Sequence, residues 1–319
     1  MSDVLTEAVL CGVCGESGSS PVTQGRDFEY HTCDNEFCMV ECRTCGNIYL
    51  NPRPKNESLG VIYPPNYYAY DYDGVIHPLA RAAKDRLDRI KIQKWLRAVK
   101  NKQMCTVLDV GCGNGHVLRA LHALGVPKDR LHGTDIDARS IERLRAEGYQ
   151  AFKGRLEDLQ HESPSLRFDL IVILQVIEHV ENPNACLAAL AALLKPEGRI
   201  LIETPNTASL DFSLFKNRYW GGYHFPRHWN LMNPRALQHL LHRNGLRVAA
   251  ARYLPAHSFW IWSLHHWAEE RFKSRAVADF FNPYQNVFLL AVFTAFDMLR
   301  AGLGLRTSNI QLTVMKAPR

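Results

Sequence analysis

From about residue 104 onward, short apolar runs alternate with amphipathic stretches. Val107–Val110, Leu131–Asp135, Tyr149–Lys153, Phe168–Leu174 and Arg199–Glu203 read as five strands, and the run at 168–174 is as continuously apolar as a central parallel strand buried on both faces requires. Asn182-Pro183 caps and starts a helix over Ala185–Leu194, which Lys195-Pro196-Glu197-Gly198 should stop. Asn233-Pro234 starts another helix, running to His242, and Gly245 closes it before a strand at Leu246–Tyr253. A last strand is expected near Ile310–Met315. Strand and helix in alternation predict an α/β fold around a mostly parallel sheet.

The first strand ends in Asp109, and Gly111, Gly113 and Gly115 follow at every second position before the next amphipathic segment. This describes a strand, a turn that glycine favours and a helix start whose free N–H groups face a ligand. Asp135, twenty residues after Gly115, ends the second strand, where a carboxylate can take both hydroxyls of a ribose. The G-x-G-x-G spacing departs from the G-x-G-x-x-G of dinucleotide sites, and no nearby Lys or Arg suits a diphosphate.

With its leading acid, the pattern resembles the class I S-adenosylmethionine-dependent methyltransferases. That resemblance implies a Rossmann-like sheet of seven strands, the last one antiparallel. It also implies cofactor contacts from Asp109, Gly111, Cys112, Gly113, Gly115, Asp135, Ile136, Leu156, Glu157 and Gln175. The segment Gln175-Val176-Ile177-Glu178-His179 looks like the family's post-strand-four segment, with Glu178 and His179 placed to serve the acceptor. Some methyltransferases bind a divalent ion on E-x-x-E-H. Here Gln175 takes the place of the first acid, so a magnesium site lacks a ligand.

A second signal lies at the N-terminus. Cys11-Gly12-Val13-Cys14-Gly15 and Cys42-Arg43-Thr44-Cys45-Gly46 are two C-x-x-C-G knuckles, which bring four thiolates to one tetrahedral centre and predict structural Zn²⁺ in a zinc-ribbon-like module. Cys33 and Cys38 are alternatives to a ligand of the first knuckle, and read as buried thiols. An odd total of 9 cysteines and no recognisable signal peptide argue for a reducing, cytoplasmic setting rather than an oxidised scaffold. The chain divides into a zinc module (1–54), a tyrosine-rich linker with a basic helix (55–103) and a methyltransferase domain (104–319). Order and motifs together resemble bacterial sugar-, glycan- or natural-product-type methyltransferases.

The linker holds Tyr63, Tyr67, Tyr68, Tyr70 and Tyr72, either an aromatic lid over the substrate or packing between the modules. Nine Lys and Arg from Arg81 to Lys102 oppose only Asp85 and Asp88 and largely account for the net charge of +6. A solvated helix face is the simplest reading, with phosphate, anionic lipid or RNA as the alternatives. The zinc module itself is acidic (Glu16, Asp27, Glu29, Asp34, Glu36 and Glu41 against Arg26 and Arg43), which argues against RNA.

Acceptor chemistry is expected beyond the fifth strand, where 204–233 is too long and aromatic for a plain connection. Methyl transfer to a hydroxyl needs a base, and His224 is the first choice, then His179, then His228. Tyr68, Tyr70, Tyr223, Arg227 and His228 are the expected substrate contacts. The segment 256–305 reads as a helical insertion before the final strand, either a cap over the pocket or an interfacial surface for a lipid-linked acceptor. The acceptor expected first is a sugar, nucleotide sugar or glycan. A lipid-linked or quinone-type molecule, at a membrane surface, and RNA follow. The sequence does not give the oligomeric state.

Overall fold

The computed structural model describes residues 3–67, 77–97, 99 and 101–318. Tyr68, Tyr70 and Tyr72, and with them most of the expected lid, lie outside the described residues.

Thirteen strands are assigned among those residues. Five belong to the N-terminal part: β1 (Thr6–Glu7), β2 (Ser19–Gly25), β3 (Phe37–Cys42), β4 (Ile48–Leu50) and β5 (Arg53–Pro54). Then follow β6 (Val107–Val110), β7 (Leu131–Asp135), β8 (Gln150–Lys153), β9 (Phe168–Leu174), β10 (Leu194–Pro205), β11 (Asn230–Leu231), β12 (Leu246–Leu254) and β13 (Asn309–Lys316). The large sheet has seven strands in the order β12-β13-β10-β9-β6-β7-β8. β8, β7, β6, β9 and β10 are mutually parallel, and β13 runs antiparallel to both β10 and β12. The chain order turns back between β6 and β9, so the crevice at their carboxyl ends is where a ligand belongs.

Local chemistry explains the element boundaries. Asn182 accepts from the Ala185 N–H at 3.0 Å and Asn233 from the Ala236 N–H at 2.9 Å, each with proline in the first turn of its helix. Gly245, at φ 67°, ends the second of these helices. The stop expected at Lys195–Gly198 takes a different form. β10 already starts at Leu194, pairing with Phe168, and the intervening residues shift the register before Arg199 meets Leu170. A short irregularity costs less here than surrendering the ladder of a central strand.

The N-terminal module shares its sheet and core with the rest of the chain. β2, β3 and β4 form a sheet whose fourth strand is β11, with Asn230 opposite Tyr49 and Leu231 opposite Ile48. Phe37, Met39 and Leu50 from the module pack with Trp220, Tyr223, Phe225 and Trp229 from the loop between β10 and β11, all buried. Trp220 anchors that loop through an Nε1–H bond to the buried Asp211 at 2.6 Å. The segment 256–305 is helical, with helices at His257–Phe272, Arg275–Asp279 and Val287–Gly302. The first lies directly on the β10–β11 loop, where the Gly221 N–H donates to Ser263 Oγ at 2.9 Å. A Cβ at Gly221 would stand 2.6 Å from the Phe259 carbonyl, so only glycine lets these elements close.

Candidate functional site

The site has two halves. One is the loop after β6. Gly111 and Gly115 have φ of 69° and 83°, and each is also pressed from behind. A Cβ at Gly111 would lie 2.4 Å from Val176 Cγ2, and one at Gly115 would lie 2.3 Å from Leu144 Cδ2. Cys112 is buried, its thiol packed against Gly133 of the next strand. Asp109 is 3 % exposed, and its Oδ2 has no hydrogen-bond partner. Burial, with the neighbouring Asp135, pushes its carboxyl up to about 8. Asp135 is half-buried. Its Oδ2 accepts from the Gly113 N–H at 2.8 Å and its Oδ1 from the Asp137 N–H at 2.9 Å. Leu156 is buried, Glu157 half-buried and Ile136 exposed. Gln175 adopts φ 53° and donates to Asn309 Oδ1 at 2.9 Å. An orphan buried carboxylate beside bare backbone is a fitting receptacle for a ligand that brings its own cation.

The other half is assembled from four distant stretches: 27–30 of the N-terminal module, 63–67, 178–179 after β9, and the β10–β11 loop. His179, His224 and His228 gather here, with ring centroids 4.6 Å (179–228), 5.0 Å (224–228) and 6.2 Å (179–224) apart. Each ring is anchored through Nδ1: His228 on the Gly222 carbonyl at 2.7 Å, His179 on the Arg227 carbonyl at 3.0 Å and His224 on Glu29 Oε1 at 2.7 Å. The Gly222 and Arg227 carbonyls only accept, so the neutral rings of His228 and His179 donate through Nδ1 and keep the lone pair on Nε2. The Nε2 of His224 is buried without a partner. Lost solvation and neighbouring charge hold His179 down to about 3 and His228 well below the usual imidazole range. Glu178 is fully buried. Its Oε2 accepts from Thr204 Oγ1 at 3.0 Å, its Oε1 has no partner, and burial pushes its carboxyl up to about 8.

Two sequence-based expectations change in this half. Arg227, expected to touch substrate, is wholly buried in a two-pronged pair with Asp27, at 3.0 and 2.9 Å, and also donates to the Phe225 carbonyl. Its charge is spent on positioning the loop, and it holds Asp27 well below the usual carboxylate range against the opposing effect of burial. Tyr223 is equally buried, its hydroxyl donating to the Lys216 carbonyl at 2.6 Å. Conversely, Asp27, Glu29, Tyr63 and Tyr67 belong to the site although only their charge or aromaticity stood out in the sequence, and Tyr30 joins them with no sequence signal. Tyr30 and Tyr67 flank both His224 and the Arg227 guanidinium, and the Tyr63 hydroxyl lies 3.0 Å from His179 Nδ1.

Beside these halves, Cys11, Cys14, Cys42 and Cys45 converge, their sulfurs all within 4.8 Å of one another. Cys11 and Cys45, and Cys14 and Cys42, stand 3.5 Å apart. A tetrahedral ion at ~2.3 Å from each sulfur needs edges of roughly 3.8 Å, which this cluster meets with little movement. The knuckle turns form as the spacing predicts: the Gly15 and Gly46 N–H groups return to the Cys11 and Cys42 carbonyls at 2.8 and 2.9 Å. Cys33 and Cys38 stand outside the group.

Comparison with known proteins gives the family. The family described as "Methyltransferase domain" matches residues 72–251, and the chain belongs to it. It is thus an enzyme of the S-adenosylmethionine-dependent methyltransferase class, with the Rossmann-like fold expected. Over 157 residues, 46 % of this chain, it is 34 % identical to the ubiquinone biosynthesis O-methyltransferase of Xylella fastidiosa and 31 % identical to that of Xanthomonas campestris pv. campestris. The chain spans 57–59 % of the length of these curated relatives. A methyltransferase structure from Archaeoglobus fulgidus aligns with 73 % of this chain and 94 % of its own, at 20 % identity and a TM-score of 0.47.

Proposed function

We propose that this chain transfers a methyl group to a hydroxyl oxygen of a lipid-borne, quinone-type acceptor. The observation that carries the reading is the juxtaposition of the two halves. Val176, against which Gly111 packs, lies two residues before Glu178 and three before His179, so the glycine loop and the histidine cluster meet at the carboxyl end of β9.

S-adenosylmethionine, when bound, supplies the electrophilic methyl. The residues that would hold it are Asp109 at the amino-acid end, Gly111–Gly115 beneath it, Asp135 at the ribose, and Ile136, Leu156, Glu157 and Gln175 around the base and the sulfonium. His224 is the base. Glu29 fixes its ring and tautomer, and its free Nε2 accepts the hydroxyl proton, as in other carboxylate–imidazole pairs. Tyr30, Tyr63 and Tyr67 give a flat acceptor an aromatic wall. The cysteine cluster holds structural Zn²⁺, which keeps the module carrying Asp27 and Glu29 in place.

Two observations favour a lipid-borne acceptor over the sugar expected first. The relatives named above act in ubiquinone biosynthesis. In addition, the helices at 78–96 and 287–302 pack together and leave Leu79, Leu87, Phe288, Leu299 and Leu303 exposed, with Arg86, Arg89, Lys94 and Arg97 also at the surface. Apolar side chains beside cations suit the interface of an anionic bilayer. No described helix is long and apolar enough to cross one. Incubation with methyl-labelled cofactor and, separately, catechol- or quinol-bearing vesicles, nucleotide sugars and RNA tests the reading. Label is expected in the vesicle-borne phenol; label confined to sugars or RNA would overturn the acceptor assignment.

A further inference from the structure

We propose that Glu178, His179 and His228 form a second metal site, holding a first-row divalent cation with two imidazole nitrogens and one carboxylate oxygen. A donor atom from each lies within 4.8 Å of the other two. Three donors bound at ~2.1 Å to one ion stand roughly 3.4–3.6 Å apart, so closure onto an ion needs each donor to move by no more than about 0.8 Å.

The surroundings are those of ligands rather than of ordinary core residues. Both imidazoles give Nδ1–H to backbone carbonyls, of Gly222 and Arg227, which fixes the rings and aims the Nε2 lone pairs away from those carbonyls. This is the outer-shell pattern that orients metal-bound histidines. Glu178 has one oxygen engaged by Thr204 and the other buried without a partner. Leaving such an oxygen unpaired in the interior is costly, and a cation removes the cost. The nearby Arg227 does not compete for it, because Asp27 takes both prongs of its guanidinium.

Sequence spacing alone does not find this set. Gln175 turns away toward Asn309, and the third donor comes from the far end of the β10–β11 loop, docked here through β11. Three protein ligands leave positions open for an acceptor oxygen, which the ion would polarise while His224 takes the proton. That role rests on the O-methylation proposed above, whereas the binding of the ion does not.

The test is a Co²⁺ titration of the full chain with its cysteine cluster already zinc-loaded, followed by visible absorption. One equivalent is expected, with ligand-field bands and no thiolate charge-transfer band. His228→Asn keeps a donor for the Gly222 carbonyl, and Glu178→Gln keeps the shape of the carboxylate; each should weaken Co²⁺ binding by at least about 100-fold, more than losing an outer-shell partner does. Calorimetry with adenosylhomocysteine on the same samples reports that the variants are folded. No Co²⁺ retained beyond the cysteine cluster, or unchanged titrations in both variants, would overturn the site. Co²⁺ bound as expected with no adenosylhomocysteine heat in the parent chain would uphold the ion and instead sink the methyltransferase reading.

Discussion

The two halves of the site are built on opposite plans. The cofactor half is almost wholly backbone and almost wholly local: a nine-residue stretch from Val107 to Gly115, completed by one carboxylate on the adjacent strand. The acceptor half is side chains from four stretches, tied by a buried ion pair, a carboxylate–imidazole bond and a two-residue strand pairing. A pocket cradled by bare backbone can be met in one short segment. A pocket defined by where imidazoles point needs the whole tertiary structure. Damage should therefore separate: changes in one half move cofactor affinity, and changes in the other move turnover.

The largest separation is expected from His224→Gln. Turnover should fall by about 10²–10⁴-fold, the range a positioned base supplies, while calorimetric affinity for adenosylhomocysteine stays within about twofold. Equal losses in both would mean that the two halves form one unit and would end the comparison.

Next comes the tie itself. Arg227→Met leaves Asp27 charged and fully buried, at a cost of ~3–5 kcal/mol in unfolding free energy, and the double variant with Asp27→Leu should recover much of it. Thermal unfolding of the four-member cycle measures this. Simple additivity of the two single effects would show that the pair does not hold the loop.

In the cofactor half, Gly111→Ala forces a Cβ into Val176 at φ 69°. The left-handed backbone alone costs an alanine about 1–2 kcal/mol. Adenosylhomocysteine affinity should drop by at least about tenfold, the equivalent of 1.4 kcal/mol. Binding at the parent level would show that the loop tolerates a side chain and is not the cradle.

These halves also differ in how far the sequence reveals them. The main sheet's strands along the chain, the glycine loop, Asp135 and the four clustered cysteines follow from apolar runs, spacing and local turn chemistry, and the structure has them there. The three histidines were visible singly, but their convergence was not, because β11 brings His228 beside His179 only by pairing with β4 of the N-terminal module. Asp27 and Glu29 read as surface acidity because nothing in their neighbourhood announces Arg227 and His224, about 200 residues away. Arg227 departs in the other direction: expected to touch substrate, it is paired with the chain's own Asp27.

The smallest effect concerns the orphan carboxylate. Asp109 is neutral in the ligand-free protein below about pH 8, whereas a cationic amino group docked on it favours the carboxylate. Binding should then release up to one proton, and adenosylhomocysteine affinity should rise by at most tenfold per pH unit from ~6 toward 8, then level off. The sign for stability is the reverse. A carboxyl whose folded pKa lies above its unfolded value stabilises the fold at low pH, and that contribution fades as pH climbs toward 8. The ligand-free protein should therefore lose thermal stability over this window more steeply than the liganded one. Asp135, also raised by burial, shares in the titration, so the slope belongs to the pair. Asp109→Asn should flatten both profiles. If the variant keeps the parent's pH dependence, the proton sits elsewhere, and the amino-acid end of the ligand is not held at the end of β6.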